Sequence, residues 1–167
     1  MGRALGPEVT VYFWIAVAVV IILAFFLLRS FIRRQDPFYE VDRMEGLDFE
    51  DYLVELIGRQ GYDVMPTQAS RDFGADLIIH TPTEEVVIQA KCYQQKVGLE
   101  AVQQVAAAVP YYRGTRGVVI TNNYYTDGAY ELAQPNQVIL LNRDDLGELM
   151  EGVPFMDLVY ARARVQL

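Results

Sequence analysis

The sequence predicts an α/β layer domain, a central mixed sheet flanked by helices, preceded by one membrane-spanning helix. Three observations lead there. Residues 9–28 (VTVYFWIAVAVVIILAFFLL) carry no charge over a length that, as a helix, covers the roughly 30 Å of a bilayer core. Short continuous apolar runs, GVVIT at 117–121 and QVILL at 137–141, read as strands covered on both faces. Segments with helical apolar spacing alternate with such runs, and helices alternating with buried strands build layers.

The elements follow in order. Tyr12 and Trp14 stand near one end of the apolar segment, where aromatic rings favour the interface, and Arg29, Arg33 and Arg34 stand at the other. A cleavable signal peptide fits less well: its basic leader would be Arg3 alone, opposed by Glu8, the apolar run is long, and no small-residue cleavage site follows. A buried core helix would need a polar face, which the segment lacks. The arginines belong on the cytoplasmic side, so residues 1–8 are expected outside the cell, 9–28 across its membrane and the rest inside. Residues 29–44 read as a basic juxtamembrane segment and linker, with Asp36-Pro37 stopping the helix. The folded domain is expected over 45–151 and a C-terminal tail over 152–167.

Within the domain, Phe49, Leu53, Leu56 and Ile57 repeat at helical spacing over 46–57, with Asp48 as N-cap and Gly61 ending the helix. Residues 62–66 form a first strand, 76–80 a second, and 85–92 a third, the last two joined by a turn at Thr81-Pro82-Thr83-Glu84. A loop holding Ser70, Arg71 and Asp72 precedes the second strand. A second helix over 98–109 shows Val102, Val105, Ala106 and Val109 on one face. A strand at 116–121, a short helix at 126–133, a strand at 137–141 and a helix at 143–150 complete the order αβββαβ, then αβα.

Composition bounds the chemistry. The chain has 167 residues and a net charge of −8, and only Lys91 and Lys96 are lysines. From Asp36 onward there are 10 basic and 21 acidic residues, near −11. That disfavours broad salt-driven wrapping of nucleic acid, which takes many phosphate contacts, and leaves room for a small local basic groove. Cys92 is the one cysteine; it makes no intrachain disulfide and no cysteine zinc site, and reads as a small buried apolar residue.

Three pieces converge on one chemistry: Asp76 opening the second strand, Gln89-Ala90-Lys91 on the third, and Glu50 on the first helix. Strand side chains alternate, so Gln89 and Lys91 share a face, and an antiparallel neighbour brings Asp76 within cross-strand reach. A carboxylate beside an amide oxygen and a lysine suits a hard divalent cation and an attacking water. Magnesium needs few protein ligands because it keeps waters and takes phosphate oxygens, and lysine supplies a compact positive charge beside the reacting phosphorus.

The ordered set Leu47-Asp48-Phe49-Glu50, Gly61-Tyr62-Asp63-Val64, Asp72-Phe73-Gly74-Ala75-Asp76-Leu77-Ile78, Val87-Ile88-Gln89-Ala90-Lys91, Val102-Gln103-Gln104-Val105 and Gly117-Val118-Val119-Ile120-Thr121 resembles the catalytic domain of Mrr-like type IV restriction endonucleases. These form a branch of the PD-(D/E)xK nuclease superfamily related to archaeal Holliday junction resolvases. The resemblance runs from Gly46 to Met150. It implies an αβββαβ core and hydrolysis of DNA phosphodiesters with Mg²⁺, for which Mn²⁺ substitutes. Asp76, Gln89 and Glu50 would be the metal ligands and Lys91 the catalytic lysine, with Gln89 in the place of the superfamily's glutamate. Double-stranded DNA is the implied substrate, foreign, modified or branched, and cutting both strands is compatible with a homodimer. The chain departs from the pattern where Phe73 and Ala75 stand in a loop the family often fills with glycine.

A competing expectation is a non-catalytic interaction module on the same fold, favoured by the acidic surface and the glutamine at the metal position. Lys96, Arg71, Arg113 and Arg116 are candidates for phosphate contacts but each alone reads as surface charge. Asp72 reads as a loop residue and His80 as structural. The doublets Tyr111-Tyr112 and Tyr124-Tyr125 could stack on bases, with packing the commoner role, and Gln104 faces the site in the family's arrangement.

Overall fold

The structure is a computed structural model of the 167-residue chain, described over residues 7–34, 36–67 and 73–167. Arg71 and Asp72 lie outside the described residues. Two compact units are present, residues 1–39 and 40–167.

The first unit holds one long helix, α1 (Pro7–Arg34). Its stretch Val11–Arg29 is long and apolar enough to cross a membrane, and none of it is buried by protein: Tyr12 is 70% and Leu27 72% exposed. After it, Asp36 Oδ1 accepts from Phe38 N at 2.9 Å, opening a single helical turn, α2 (Phe38–Val41).

In the second unit, α3 (Gly46–Gly58) precedes β1 (Asp63–Pro66), β2 (Leu77–His80) and β3 (Glu85–Lys91). Then come α4 (Leu99–Tyr111), β4 (Arg116–Thr121), α5 (Asp127–Ala133), β5 (Val138–Leu141), α6 (Arg143–Met150) and α7 (Phe155–Gln166). The five strands lie in chain order: β1, β2 and β3 antiparallel, β3, β4 and β5 parallel. The mixed sheet is therefore the one the sequence predicts. The 81–84 turn closes as expected, with Thr81 N donating to Glu84 O at 3.0 Å and Glu84 N to Thr81 Oγ1 at 2.8 Å.

Alternation divides the side chains between two layers. Val87, Val119, Val138 and Leu140 pack with Val102, Val105, Ala108 of α4 and Ala129, Ala133 of α5. The opposite face of the sheet meets α3, α6 and α7, whose buried residues are Phe49, Leu53 and Ile57, Leu146 and Leu149, and Phe155, Leu158 and Val159. Burying one such side chain is worth about 1.5–3 kcal/mol, so each layer is held by several independent anchors.

Three expectations change. The N-cap of the first domain helix is Glu45, in extended conformation and with no side-chain cap bond, three residues before the expected Asp48. Residues 40–44, expected as linker, join the domain: Val41 is buried, and Asp42 accepts from Asn122 Nδ2 and from both Nη atoms of Arg143. Residues 152–167, expected as a tail, turn at Gly152 (φ 97) and form α7. Its start is clamped by the Gln60 amide, which donates to Val153 O at 3.0 Å and accepts from Phe155 N at 2.9 Å. Its end reaches the outer edge of β5, where the Gln166 amide accepts from Leu140 N and donates to Leu140 O, both at 2.9 Å.

Candidate active site

The β2–β3 register ends at Leu77 opposite Ile88, and Asp76 N donates to Ile88 O at 2.8 Å. Asp76 is thus one residue before β2 and beside Gln89, as the hairpin predicts. Both are buried, Asp76 at 7% and Gln89 at 3% exposure. A buried carboxylate is costly unless hydrogen-bonded, and Asp76 Oδ2 accepts the Ala90 N–H at 2.7 Å and the Gln89 Nε2–H. That donation leaves Oε1 as the atom of the Gln89 amide with lone pairs to offer. Lys91, two residues on, shares the face of Gln89 and is half-buried.

Asp76, Gln89, Lys91 and Glu50 of α3 line one cleft of about 480 Å³, together with Gln104 and Ala107 of α4. Three separate elements therefore bring the four predicted side chains together. Their donor set is two carboxylates and one amide oxygen; among the described residues no group of three His, Cys, Asp or Glu is arranged to hold a metal. This set fits Mg²⁺, which takes one or two carboxylates and completes its shell with water and phosphate oxygens. It does not fit zinc, which favours imidazole and thiolate.

Two residues of the cleft wall add to what the sequence proposes. Gln104 Oε1 is buried with no hydrogen-bond partner among the described residues, and an orphaned buried acceptor points to a missing donor or cation. Gly74 has φ 89, and a β-carbon there would stand 2.5 Å from the Gln104 backbone oxygen. The loop before Asp76 can pass that close to α4 only without a side chain. Cys92 also lines the cleft. Its Sγ lies 3.4 Å from Val41 O and Met44 O, and burial pushes its thiol up, helped by the Asp42 charge. It is no activated nucleophile.

The remaining candidates separate. Arg116 is held by Glu84 through Nε at 2.8 Å and Nη2 at 2.9 Å, beneath the Tyr160 ring. Those hydrogen bonds hold the Glu84 carboxyl below the usual range, against burial. Arg143 is engaged by Asp42; burial pushes that carboxyl up, and hydrogen bonds from Arg143 and Asn122 outweigh it, so the net direction is down. Tyr125 is buried and its single hydroxyl hydrogen is shared between Val119 O at 2.8 Å and Leu141 O at 3.0 Å, while Tyr124 donates to Asp144. That doublet is structural. His80 is bonded through Nδ1 to Glu85 at 2.7 Å. Lys96 and Arg113 are exposed.

Comparison with known proteins decides the family. The model of the Mrr catalytic domain, a restriction endonuclease, matches residues 41–150. The chain belongs to the Mrr-type restriction endonuclease family. The type IV methyl-directed restriction enzyme EcoKMrr of Escherichia coli (strain K12) is 30% identical over 111 residues, 61% of this chain and 36% of that enzyme. The chain therefore spans about a third of the length of the curated relative it matches. The solved DNA modification-dependent restriction endonuclease AspBHI shares the fold with a TM-score of 0.53 at 23% identity, over 76% of this chain and 38% of that one. The αβββαβ core read from the sequence is thus the Mrr-type, restriction endonuclease-like fold.

Proposed function

We propose that this Mrr-type domain hydrolyses phosphodiester bonds of double-stranded DNA, in restriction of foreign or modified DNA or in DNA processing. The observation that carries the reading is the convergence of Asp76, Gln89, Lys91 and Glu50 in one cleft. Asp76, Gln89 Oε1 and Glu50 would hold Mg²⁺, or Mn²⁺ in its place, and the bound ion would polarise the phosphate and make a water more acidic. Asp76 keeps its orientation through the Ala90 N–H, so its carboxylate is set before substrate arrives. Lys91 reaches the cleft as a positive charge, suited to the charge that develops at phosphorus. Glu50 comes from α3, so the packing of Phe49 and Leu53 fixes its place against the sheet.

Val11–Arg29 supports a single-pass anchor in the cell membrane, with the arginine-flanked end and the domain in the cytoplasm. Protease treatment of intact cells should then leave residues 40–167 untouched, and their removal would overturn that topology. A second reading, an interaction module without catalysis, is favoured by the acidic balance near −11. The deciding experiment incubates the full chain in detergent with supercoiled plasmid and Mg²⁺ or Mn²⁺, beside Lys91→Ala. Nicking that disappears in the variant supports the nuclease. No cutting of plain, methylated or branched DNA by either protein favours the module.

A further inference from the structure

A recess beside the cleft is left unused by the proposed chemistry. It lies on the same face of the sheet, between β1, β2 and the C-terminal end of α4, and encloses about 470 Å³. Phe73 lines both this recess and the cleft holding Asp76, so the two adjoin at one ring. That ring stacks on Tyr111 with centroids 4.0 Å apart and planes at 29°, and Tyr111 meets Tyr112 edge-on. Both members of the stack face outward: Phe73 is 50% and Tyr111 57% exposed.

The chemistry of the recess is selective. Met65, Ile78, His80, Phe73, Tyr111 and Tyr112 are among its lining residues, and among the described residues no Lys, Arg, Asp or Glu lines it. A flat uncharged ring would find π-faces to stack on there. Phe73 also holds φ 46, a left-handed conformation that disfavours any residue with a β-carbon and costs glycine little. Core packing does not account for a phenylalanine there, because half of it is exposed. The soluble part carries 21 acidic against 10 basic residues, so salt-driven phosphate contact is a weak source of affinity; stacking on a base is not weakened by that balance.

We infer that the Phe73–Tyr111 platform receives a nucleobase displaced from the duplex next to the cut position, so the domain favours DNA whose base is unpaired or easily opened. The inference rests on the nuclease reading for its substrate. Base–aromatic stacking is worth enough to change affinity about tenfold or more.

The test uses the full chain in detergent with EDTA present, so binding is read apart from cutting. The probes are two duplexes carrying one 2-aminopurine, paired with thymine in one and facing an abasic site in the other. The wild type should bind the opened duplex about tenfold more tightly, with quenching of the 2-aminopurine fluorescence. Tyr111→Ala and Phe73→Gly should bring that ratio to about one, and Tyr111→Phe should keep it. Glycine accepts the backbone at position 73 without strain, so Phe73→Gly is expected to fold, which a melting curve checks. Equal binding of both duplexes by the wild type, or a preference that survives both variants, overturns the inference. Plasmid nicking is measured alongside. A wild type that nicks through Lys91 but shows no preference overturns the platform alone. A wild type that cuts nothing yet keeps a Tyr111-dependent preference overturns the nuclease reading and leaves the platform standing as a binding site.

Discussion

Gly74→Ala adds one methyl group beside the cleft, and it should cost as much as a sizeable core deletion. At φ 89 the alanine would sit in the left-handed region, worth about 1–2 kcal/mol of strain. Its β-carbon would lie 2.5 Å from the backbone oxygen of Gln104, 2.8 Å from its carbonyl carbon and 3.0 Å from its α-carbon. Backbone atoms cannot rotate away, so the loop or α4 must move, and overpacking of this kind costs about 1–3 kcal/mol. Together the loss is about 2–5 kcal/mol, which for a domain of this size lowers Tm on the order of 10 °C. The loop leads within two residues to Asp76, so its hydrogen bond from Ala90 N should be disturbed as well. Lys91-dependent nicking is then expected to fall more than about tenfold at temperatures where the fold persists, since misplacement of about 1 Å can cost that much. The assay is a melting curve and plasmid nicking on the full chain, beside Gly58→Ala. An added β-carbon at Gly58 meets nothing within 4 Å, so that control should be neutral or gain a few tenths of a kcal/mol. Gly74→Ala melting within about 2 °C of wild type would refute the close approach.

Three further perturbations probe other parts of the molecule. Gln104→Leu removes the orphaned buried acceptor, so Tm should hold or rise by about 1 kcal/mol equivalent while nicking falls; a lower Tm with full activity would show that the oxygen serves the fold alone. Phe155→Ala should destabilise by about 3–5 kcal/mol, as measured by urea unfolding, because Phe155 is fully buried at the start of α7 and meets Tyr62 edge-on; a loss under about 1 kcal/mol would return 152–167 to the status of a tail. Arg116→Met should cost about 1 kcal/mol near neutral pH. The Arg116 hydrogen bonds lower the folded Glu84 value below its ordinary 4.5, so that stabilisation is complete above 4.5 and fades as pH falls through the folded value. A wild-type-to-variant gap that does not shrink in acid would contradict the assigned cause.

The order of strands and helices is legible in the sequence because periodicity is a local property. Val102, Val105 and Val109 mark a helix, and GVVIT marks a strand, whatever surrounds them. The site is legible for a related reason: Asp76 and Gln89–Lys91 lie on adjacent strands joined by a four-residue turn, so their meeting follows from one hairpin register. What sequence reading misses depends on distant partners. Asp42 belongs to the domain through Asn122 and Arg143, 80 and 101 residues away. α7 docks through Gln60, 95 residues before Phe155. A signal for α7 does exist: Phe155, Met156, Leu158 and Val159 have helical spacing, but Arg162, Arg164 and Gln166 alternate with apolar residues after it and break the pattern. Gly74 is visible as a glycine, yet only its neighbour on α4 reveals why no other residue fits.

The pairing of Gln166 with Leu140 bears on crowding. Domains at high local concentration meet one another often, border to border. An open strand border is then a hazard, since any passing copy can extend the sheet. On the β5 side, one carboxamide occupies both polar groups of Leu140 and imitates the rung an intruding chain would supply. Two copies of the domain that collide at this border would thus find no free rung at Leu140 to zip onto.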